Sequence, residues 1–205
     1  MHVRMNLLTG DPGRIDEATR YLETTVRPQV EGQPGSRGLA VLANAELGTC
    51  VVASYWNSPD AMTASEQAVQ VPRKEATDLV RGTVTVEHYE VPVFVRRSRP
   101  AAGAGVRLTR TETDPAGLDA AIREFRDTAV PGLNEMPRLC SGQLLIDRAT
   151  SRGIVVTAFE DMDALAASRP GAAGLRTRMA ERSHITVRGL EEYRLIFSSV
   201  REDSA

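Results

Sequence analysis

The chain has 205 residues, of which 41% are apolar and 25% charged, ordinary values for a globular protein that can bury a core. A formal net charge of -2 argues against a nucleic-acid or anionic-membrane partner. No stretch reaches transmembrane length, and the first ten residues lack the apolar core of a signal peptide. The two cysteines, Cys50 and Cys140, have neither zinc-binding nor CxxC spacing, so we expect reduced thiols in a cytoplasmic protein.

The two halves of the sequence repeat each other at a constant shift of 103 positions, the distance from Asp11 to Asp114. Identical residues recur at this shift in the pairs Val3/Val106, Arg4/Arg107, Pro12/Pro115, Asp16/Asp119, Ala18/Ala121, Arg20/Arg123, Thr25/Thr128, Pro28/Pro131, Leu42/Leu145, Val52/Val155 and Arg73/Arg176. Chance similarity would scatter over many shifts, so the pattern predicts a tandem duplication. We predict a first repeat over 1–95, a linker over 96–105 and a second repeat over 106–200.

Each repeat begins with a strand and a helix. Residues 1–8 alternate loosely, as is typical of a strand, and Asp11 with Pro12 then provides an N-cap and a first helical residue. Apolar side chains follow with a period near 3.6 at Ile15, Ala18, Leu22, Val26 and Val30. Pro28 and its counterpart Pro131 predict a kink or an early stop in the last turn.

Two strands, a second helix and a long last strand complete each repeat. In the first repeat we predict strands over 39–43 and 49–56, a helix opened by Ser58 and broken near Pro72, and a strand over 83–95. In the second repeat we predict strands over 143–146 and 154–159, a helix broken near Pro170, and a strand over 186–197. The order β-α-β-β-α-β, found twice, is the ferredoxin-like pattern.

A ferredoxin-like sheet with both helices on one face leaves its other face uncovered. A large exposed apolar surface is unfavourable in water, so this face must be buried. We therefore predict an α+β fold in which the two repeats pack sheet to sheet as an intrachain dimeric α+β barrel. Whether this pseudo-dimer within one chain forms a further homodimer stays open.

The segment VVASYWNSPDAM, from Val51 to Met62, has a strand ending in an aromatic residue, a polar turn and a helix beginning near an Ala-Met pair. It resembles the signature of antibiotic-biosynthesis-monooxygenase-type domains, and IVVTAFEDMDAL in the second repeat resembles it too, with Phe159 in place of Trp56. Such domains belong to the dimeric α+β barrel superfamily. The resemblance implies that fold, and it implies either an oxygenase of polyketide-type substrates or a small-ligand-binding protein.

One branch of that superfamily degrades haem with an Asn on the first strand, a Trp on the third strand and a His on the following helix. Asn6 and Trp56 match the first two positions, but Ser65 stands where the histidine would fall. The second repeat has Thr109, Phe159 and Ser168 at these places. Because no imidazole is present, the resemblance does not extend to haem ligation, and we expect no cofactor and no metal.

Three residues of the first repeat are candidate catalytic groups. Trp56 could stack on an aromatic substrate or simply fill the core, and Asn6 could orient a substrate oxygen or bond to the backbone. His88 is a natural general base near neutral pH, and the alternative interpretation, which the sequence favours, is an exposed or structural histidine. Tyr55 and Tyr89 are candidate substrate-binding hydroxyls.

These observations lead to two functional hypotheses. The first is a cofactor-independent monooxygenase that binds a small aromatic or polyketide-type substrate in the barrel interior and deprotonates a phenol, so that the resulting carbanion reacts directly with dioxygen. The alternative is a non-catalytic, small-ligand-binding protein of the same fold, because the helix histidine is missing in both repeats. The first repeat retains Asn6, Trp56 and His88, so we expect the site there.

Overall fold

A computed structural model describes residues 1–201, which form two compact units. The first unit comprises Met1–His88 and the residues from Leu195 onward, and the second comprises Tyr89–Arg194. The strands β4 (Thr83–Arg96) and β8 (Thr186–Ser198) each begin in one unit and end in the other. The repeat boundaries expected from the sequence, at 95 and 106, remain a prediction.

The first unit has one complete β-α-β-β-α-β series. Its elements are β1 (His2–Thr9), α1 (Ile15–Tyr21), α2 (Arg27–Glu31), β2 (Ser36–Asn44), β3 (Thr49–Trp56), α3 (Pro59–Ala64), α4 (Glu66–Leu79) and the beginning of β4. Strand β3 lies between β1 and β2 and is antiparallel to both. Its register with β1 places Ser54 opposite Arg4 and Val52 opposite Asn6. These four residues therefore lie side by side on the sheet.

The second unit has the same series. Its elements are β5 (Gly105–Glu112), α5 (Leu118–Glu124), α6 (Val130–Asn134), β6 (Leu139–Asp147), β7 (Arg152–Phe159), α7 (Met162–Ala167), α8 (Arg169–Ser183) and the beginning of β8. Strand β7 pairs with β5 and β6, and its register places Thr157 opposite Arg107 and Val155 opposite Thr109. The register around the second-unit arginine thus matches that around Arg4.

All eight strands belong to one closed sheet, in the order β1-β3-β2-β8-β5-β7-β6-β4. The strand pairs β1/β3, β2/β3, β4/β6, β5/β7, β5/β8 and β6/β7 are antiparallel. The α+β class and the closed barrel predicted from the sequence are confirmed. None of the helices within residues 1–201 combines the length and the apolar character needed to cross a membrane.

The prolines predicted to kink or stop the first helix of each repeat do not end it. A π turn over Leu22–Val26, closed by the Arg27 N–H on the Leu22 carbonyl, joins α1 to α2, and the helix continues through Pro28. The second unit has a π turn over Phe125–Ala129 before Pro131. Proline lacks the N–H that an α-helical bond requires, and the wider turn accommodates this loss.

The break predicted in the second helix near Pro72 is wrong, because α4 runs through Pro72 without interruption. The break lies earlier, at Ser65, which ends α3 and precedes α4. In the second unit the break is at Ser168, and Pro170 occupies the first turn of α8, where a missing N–H carries no penalty. Both serines thus lie at a corner between two helices.

Residues with a positive φ also recur at the shift of 103 positions. The matching pairs are Gly35/Arg138, Gly48/Ser151 and Arg81/His184. His184 has a φ of 51° and ends α8 in the left-handed conformation, as expected for a helix end. The two units therefore turn at equivalent positions, which is what a duplication of the sequence would produce.

Each unit has its own core between helices and sheet. Trp56 is fully buried in the core of the first unit, and Phe159 is fully buried at the equivalent place in the second. An aromatic side chain at this strand end fills the space beneath the helices, which is the structural role considered for Trp56 from its sequence context.

Candidate functional site

Each unit contains a cavity between its sheet and its helices, with a volume of about 30 Å³ in the first unit and about 60 Å³ in the second. The first cavity is lined by Arg4, Asn6, Leu8, Leu22, Val26, Val30, Val52, Ser54, Val69, Arg73 and Ala76. Their counterparts, 103 positions later, all line the second cavity: Arg107, Thr109, Thr111, Phe125, Ala129, Leu133, Val155, Thr157, Ala172, Arg176 and Met179. The two cavities are thus equivalent places in two similar frameworks.

A buried arginine forms one wall of the first cavity. Arg4 is only 1% exposed, and its guanidinium donates to Ser65 Oγ at 3.0 Å and to the Met62 carbonyl. Its Nη2 also lies 3.1 Å from Glu66 Oε2. Burial lowers the pKa of Arg4, and the Glu66 carboxylate opposes this shift. The arginine ties the first strand to the corner between α3 and α4.

Arg107 forms the same link in the second unit. It donates to Ser168 Oγ and to the Leu165 carbonyl, both at 3.0 Å. Its carboxylate partner is Glu192, whose Oε1 lies 2.9 Å from Nη2 and 3.1 Å from Nε. Because Glu192 lies on β8, this carboxylate comes from a different element than Glu66, which begins α4.

A second arginine of the first cavity is also bound by its own unit. Arg73 donates from Nε to Asn6 Oδ1 at 2.9 Å, and its two terminal nitrogens reach Glu66 at 2.6 and 3.1 Å. The hydrogen bond from Arg73 is the largest influence lowering the pKa of Glu66, and the charges of Arg4, Arg73 and His88 add to it, while burial opposes it. Glu66 therefore stays ionised and neutralises both arginines of the first cavity.

The equivalent arginine of the second cavity lacks such a partner. Arg176 is half-buried and makes no hydrogen bond, and no ion pair within 4 Å, to any residue in the range 1–201. Burial, followed by the nearby charge of Arg107, lowers its pKa, whereas Glu192 raises it. The position of Glu66 is taken by Arg169, which itself donates to Glu192 Oε2 at 2.6 Å. A charged guanidinium thus borders an otherwise largely apolar cavity.

Of the three residues that the sequence suggested as a catalytic group, one lines the first cavity. Asn6 lines the first cavity, where its Nδ2 donates to the Val52 carbonyl at 3.3 Å while its Oδ1 accepts from Arg73. Trp56 does not line this cavity, and its indole N–H donates to Ser54 Oγ at 3.2 Å. His88 is exposed and lies outside the cavity wall.

The two tyrosines suggested as substrate-binding residues are buried but also lie outside both cavity walls. Tyr55 is 4% exposed and Tyr89 is 6% exposed. In β3, Tyr55 alternates with Ser54 and Trp56, so its side chain points to the other face of the sheet. We place the candidate site on the helix side of each sheet, rather than in the barrel interior expected from the sequence.

Comparison with known proteins supports the fold. No known family model matches the chain. Two uncharacterized proteins of Mycobacterium tuberculosis strain H37Rv are 27% identical over 176 residues and 26% identical over 202 residues. These alignments cover 86% and 98% of this chain, and 79% and 86% of the relatives.

Solved structures extend the comparison. A candidate monooxygenase of Fusobacterium nucleatum superposes with a TM-score of 0.69 at 12% identity, over 98% of this chain and 94% of that one. An anthrone oxidase-like protein gives 0.67 at 15% identity, over 97% and 93%. A ferredoxin-fold protein of Listeria monocytogenes related to antibiotic biosynthesis monooxygenases gives 0.52 at 10% identity, over 94% and 93%. The fold is that of the antibiotic biosynthesis monooxygenases. At such low identities the similarity concerns the fold alone.

The haem used by one branch of this monooxygenase-type fold does not fit the first cavity. The place of its histidine is taken by Ser65, whose hydroxyl accepts from Arg4 and donates to the Met62 carbonyl at 2.7 Å. A cavity of about 30 Å³ is also far too small for a porphyrin. Within residues 1–201 there is also no cluster of three His, Cys, Asp or Glu side chains arranged to hold a metal ion.

The arginines at the two cavities of this monooxygenase-type fold were not identified as site residues from the sequence. Arg4 and Arg73 each recur at the shift of 103 positions, and Arg4 stands in the largely apolar first strand. A charged side chain that keeps its position in both repeats, inside a strand such as β1, is an unusual signal because strands of buried sheets rarely hold arginine. That signal could have identified the buried pair Arg4 and Arg107.

Proposed function

We propose that the chain binds a small, largely apolar molecule in the second-unit cavity, on the helix side of the sheet. The observation that carries this proposal is the difference between two equivalent cavities. In the first, Arg73 is held by Asn6 and Glu66, and the volume is about 30 Å³. In the second, the volume is about 60 Å³, and Ala129 and Ala172 stand where the first has Val26 and Val69.

The second cavity also has room to extend. A neighbouring cavity of about 30 Å³ in the same unit shares the wall residues Thr111, Phe125, Val155, Met179 and Ile185. Pockets that bind small molecules are lined mainly by apolar side chains with a few polar groups that orient the ligand. Thr109 and Thr157 supply hydroxyl groups to this wall, and within residues 1–201 its charged side chains are Arg107 and Arg176.

Two methionines make the proposal testable, because Met136 and Met179 line the second cavity, whereas the described residues that line the first include no methionine. Protein labelled with ¹³C at the methionine methyl groups is titrated with phenols, anthrone and dihydroquinones and followed by NMR. We expect the Met136 and Met179 signals to shift, while those of Met5 and Met62 in the first unit stay in place.

A cavity-filling variant serves as the matched control. The double substitution Ala129→Val and Ala172→Val gives the second cavity the residues of the first, and we expect it to abolish the shifts while leaving the fold intact. If no compound of the panel moves the Met136 or Met179 signals of the unsubstituted protein, the proposed binding site is wrong.

A second candidate function is oxygenation of the bound molecule without a cofactor. The position of Arg176 favours it, because a guanidinium beside an apolar cavity stabilises the anion formed when a phenol or anthrone loses a proton. Carbanion attack on dioxygen gives a hydroperoxide, and loss of water gives the quinone, so anthrone and dioxygen yield anthraquinone and water. Among the described residues that line this cavity there is no carboxylate and no histidine, and the proton therefore passes to solvent.

Oxygen uptake with anthrone and with dihydroquinones tests this candidate. Rates above those in buffer, lost in Arg176→Gln, support oxygenation in the second unit. The sequence-based assignment instead places the reaction at Asn6, Trp56 and His88, and it requires that Asn6→Ala, Trp56→Phe or His88→Ala abolish the rate. Uptake equal to that in buffer across the panel excludes oxygenation and leaves a non-catalytic binding protein.

A further inference from the structure

The second cavity presents a cation for which its own unit provides no partner. Arg176 lies beside the buried Arg107, and the two guanidinium groups interact unfavourably, which contributes to the lowered pKa of Arg176. The carboxylate that acts on both arginines is Glu192. Arg107 donates to its Oε1, and Arg169 donates to its Oε2 at 2.6 Å and to Oε1 at 3.3 Å. Both of its oxygens are thus engaged, and Arg176 is left facing the cavity.

The first cavity shows how such a cation is satisfied. Glu66 and Arg73 are seven residues apart on α4, and the carboxylate forms two hydrogen bonds to the guanidinium. Asn6 on β1 completes the arrangement by accepting from Nε. In the second unit the same positions hold Arg169 and Thr109, so both groups that bind Arg73 are replaced. The carboxylate of the first unit has no counterpart there.

We infer that the second cavity takes a small organic anion, an apolar group carrying a carboxylate or a phenolate, and that Arg176 is its counter-ion. In the first unit Glu66 takes the place of that anion, which leaves the equivalent arginine satisfied and that cavity without a ligand. The inference rests on the proposed function, because it assigns the charge of the molecule that the second cavity binds. A planar guanidinium with several free donors suits a carboxylate, to which it can form two parallel hydrogen bonds.

The apolar part of the ligand is limited by the walls. A cavity of about 60 Å³ limits the apolar group to a single ring or a short branched chain, and a larger molecule such as anthrone fits only if the neighbouring cavity opens as well. Phe125, Leu133 and Leu175 line the same cavity with apolar side chains. The expected ligand is therefore amphipathic, with its charge at Arg176 and its apolar group against these apolar side chains.

Benzoate and benzamide provide a matched pair of probes, because they have nearly the same size and differ in charge at neutral pH. With the methionine-labelled protein, we expect benzoate to shift the Met136 and Met179 signals and to bind at least about tenfold more tightly than benzamide. We expect Arg176→Gln to remove this preference, and Arg176→Lys to restore part of it. Arg178→Gln, an exposed arginine on the same helix, is the control and should bind benzoate like the unsubstituted protein.

A second variant tests the comparison with Glu66. Arg169→Glu combined with Thr109→Asn gives the second unit the two groups that hold Arg73, and we expect about a tenfold loss of benzoate binding with little change for benzamide. Equal binding of the two probes that Arg176→Gln does not alter would overturn the inference while leaving the proposed binding site standing. Failure of both probes and of the phenol panel to move Met136 and Met179 would instead refute the proposed function itself.

Discussion

The two buried arginines offer a comparison in which one structural difference predicts a difference in stability. Arg4 and Arg107 have equivalent positions and each donates to a serine hydroxyl and a backbone carbonyl. They differ at Nε, which in Arg107 donates to Glu192, whereas the buried Nε of Arg4 has no hydrogen-bond partner within the described chain. We predict that substitution of each arginine by methionine destabilises the protein, and that Arg107→Met costs more than Arg4→Met.

The magnitudes follow from the contacts that remain after substitution. A hydrogen bond from a charged group contributes about 1.5–3 kcal/mol. In both units the serine hydroxyl also donates to the carbonyl that the arginine binds, at 2.7 Å from Ser65 and 2.6 Å from Ser168. Neither carbonyl is therefore left without a hydrogen bond after the substitution. Glu66 is 46% exposed and Glu192 is 24% exposed, so water solvates much of the released charge. We expect a loss of about 3 kcal/mol for Arg107→Met.

For Arg4→Met the loss should be smaller, about 2 kcal/mol, because the substitution also removes a buried donor that is unsatisfied in the native state. Urea unfolding followed by circular dichroism measures the free energy of unfolding of both variants. The fluorescence of Trp56 reports on the first unit, because the centre of its ring lies 5.7 Å from the Arg4 guanidinium carbon. Arg20→Met, at an exposed position, is the control and should change stability by less than about 0.5 kcal/mol. A larger loss for Arg4→Met than for Arg107→Met would show that the unpaired Nε is not the deciding feature.

Two further predictions concern alkaline pH and close backbone contacts. Burial raises the pKa of the Cys50 thiol from 9.0 to about 12, and burial together with the hydrogen bond to Glu75 raises the pKa of Tyr21 from 10.0 to about 12. A raised pKa means that the folded state holds the proton more tightly than the unfolded state does. This contribution to stability is therefore complete below about pH 9 and is lost between pH 9 and 12. A urea unfolding midpoint that does not change between pH 8 and pH 11 would contradict this prediction. Gly82→Ala should destabilise the protein strongly, because a Cβ there would lie 1.8 Å from the Thr9 carbonyl oxygen. Gly174→Ala within α8 makes only an ordinary contact at 3.6 Å and should stabilise the protein by about 0.5–1 kcal/mol. Thermal unfolding of the two variants is the test, and a lower midpoint for Gly174→Ala than for Gly82→Ala would refute the prediction.

The elements of this fold were predictable because their signals are local. The range 49–56 expected for the third strand is the observed range of β3. Asp11 caps the first helical turn by accepting from the Gly13 N–H, and Ser58 caps α3 by accepting from the Ala61 N–H. Such caps depend on neighbours within three residues, and periodicity depends on neighbours within one turn, so a single sequence contains both.

The candidate site was less predictable because its partners are far apart along the chain. Arg4 and Ser65 are 61 positions apart, and Arg107 and Glu192 are 85 apart. No periodicity links such residues, and only the fold brings them together. The family resemblance directed attention to Trp56 and Asn6, whereas the structure shows that Ser65, at the place of the family's helix histidine, accepts a hydrogen bond from Arg4, and that Arg73 donates to Asn6. The repeat comparison contained the right residues, but it could not show that they line a cavity.

The two cavities differ in charge because the acidic residue that pairs with their arginines stands at a different position in each unit. In the first unit Glu66 stands at the beginning of α4, within reach of both Arg4 and Arg73, so one acid serves two cations. In the second unit the acid is Glu192 on β8, which reaches Arg107 and the exposed Arg169. Arg4 and Arg107 therefore each have a carboxylate partner, which preserves the link between the first strand of each unit and the corner between its helices. Of the arginines on the long helices, Arg73 on α4 has a carboxylate partner, whereas Arg176 on α8 forms no ion pair within residues 1–201. A change of three residues, Asn6 to Thr109, Glu66 to Arg169 and Tyr89 to Glu192, thus keeps the framework and leaves one charge available to a ligand.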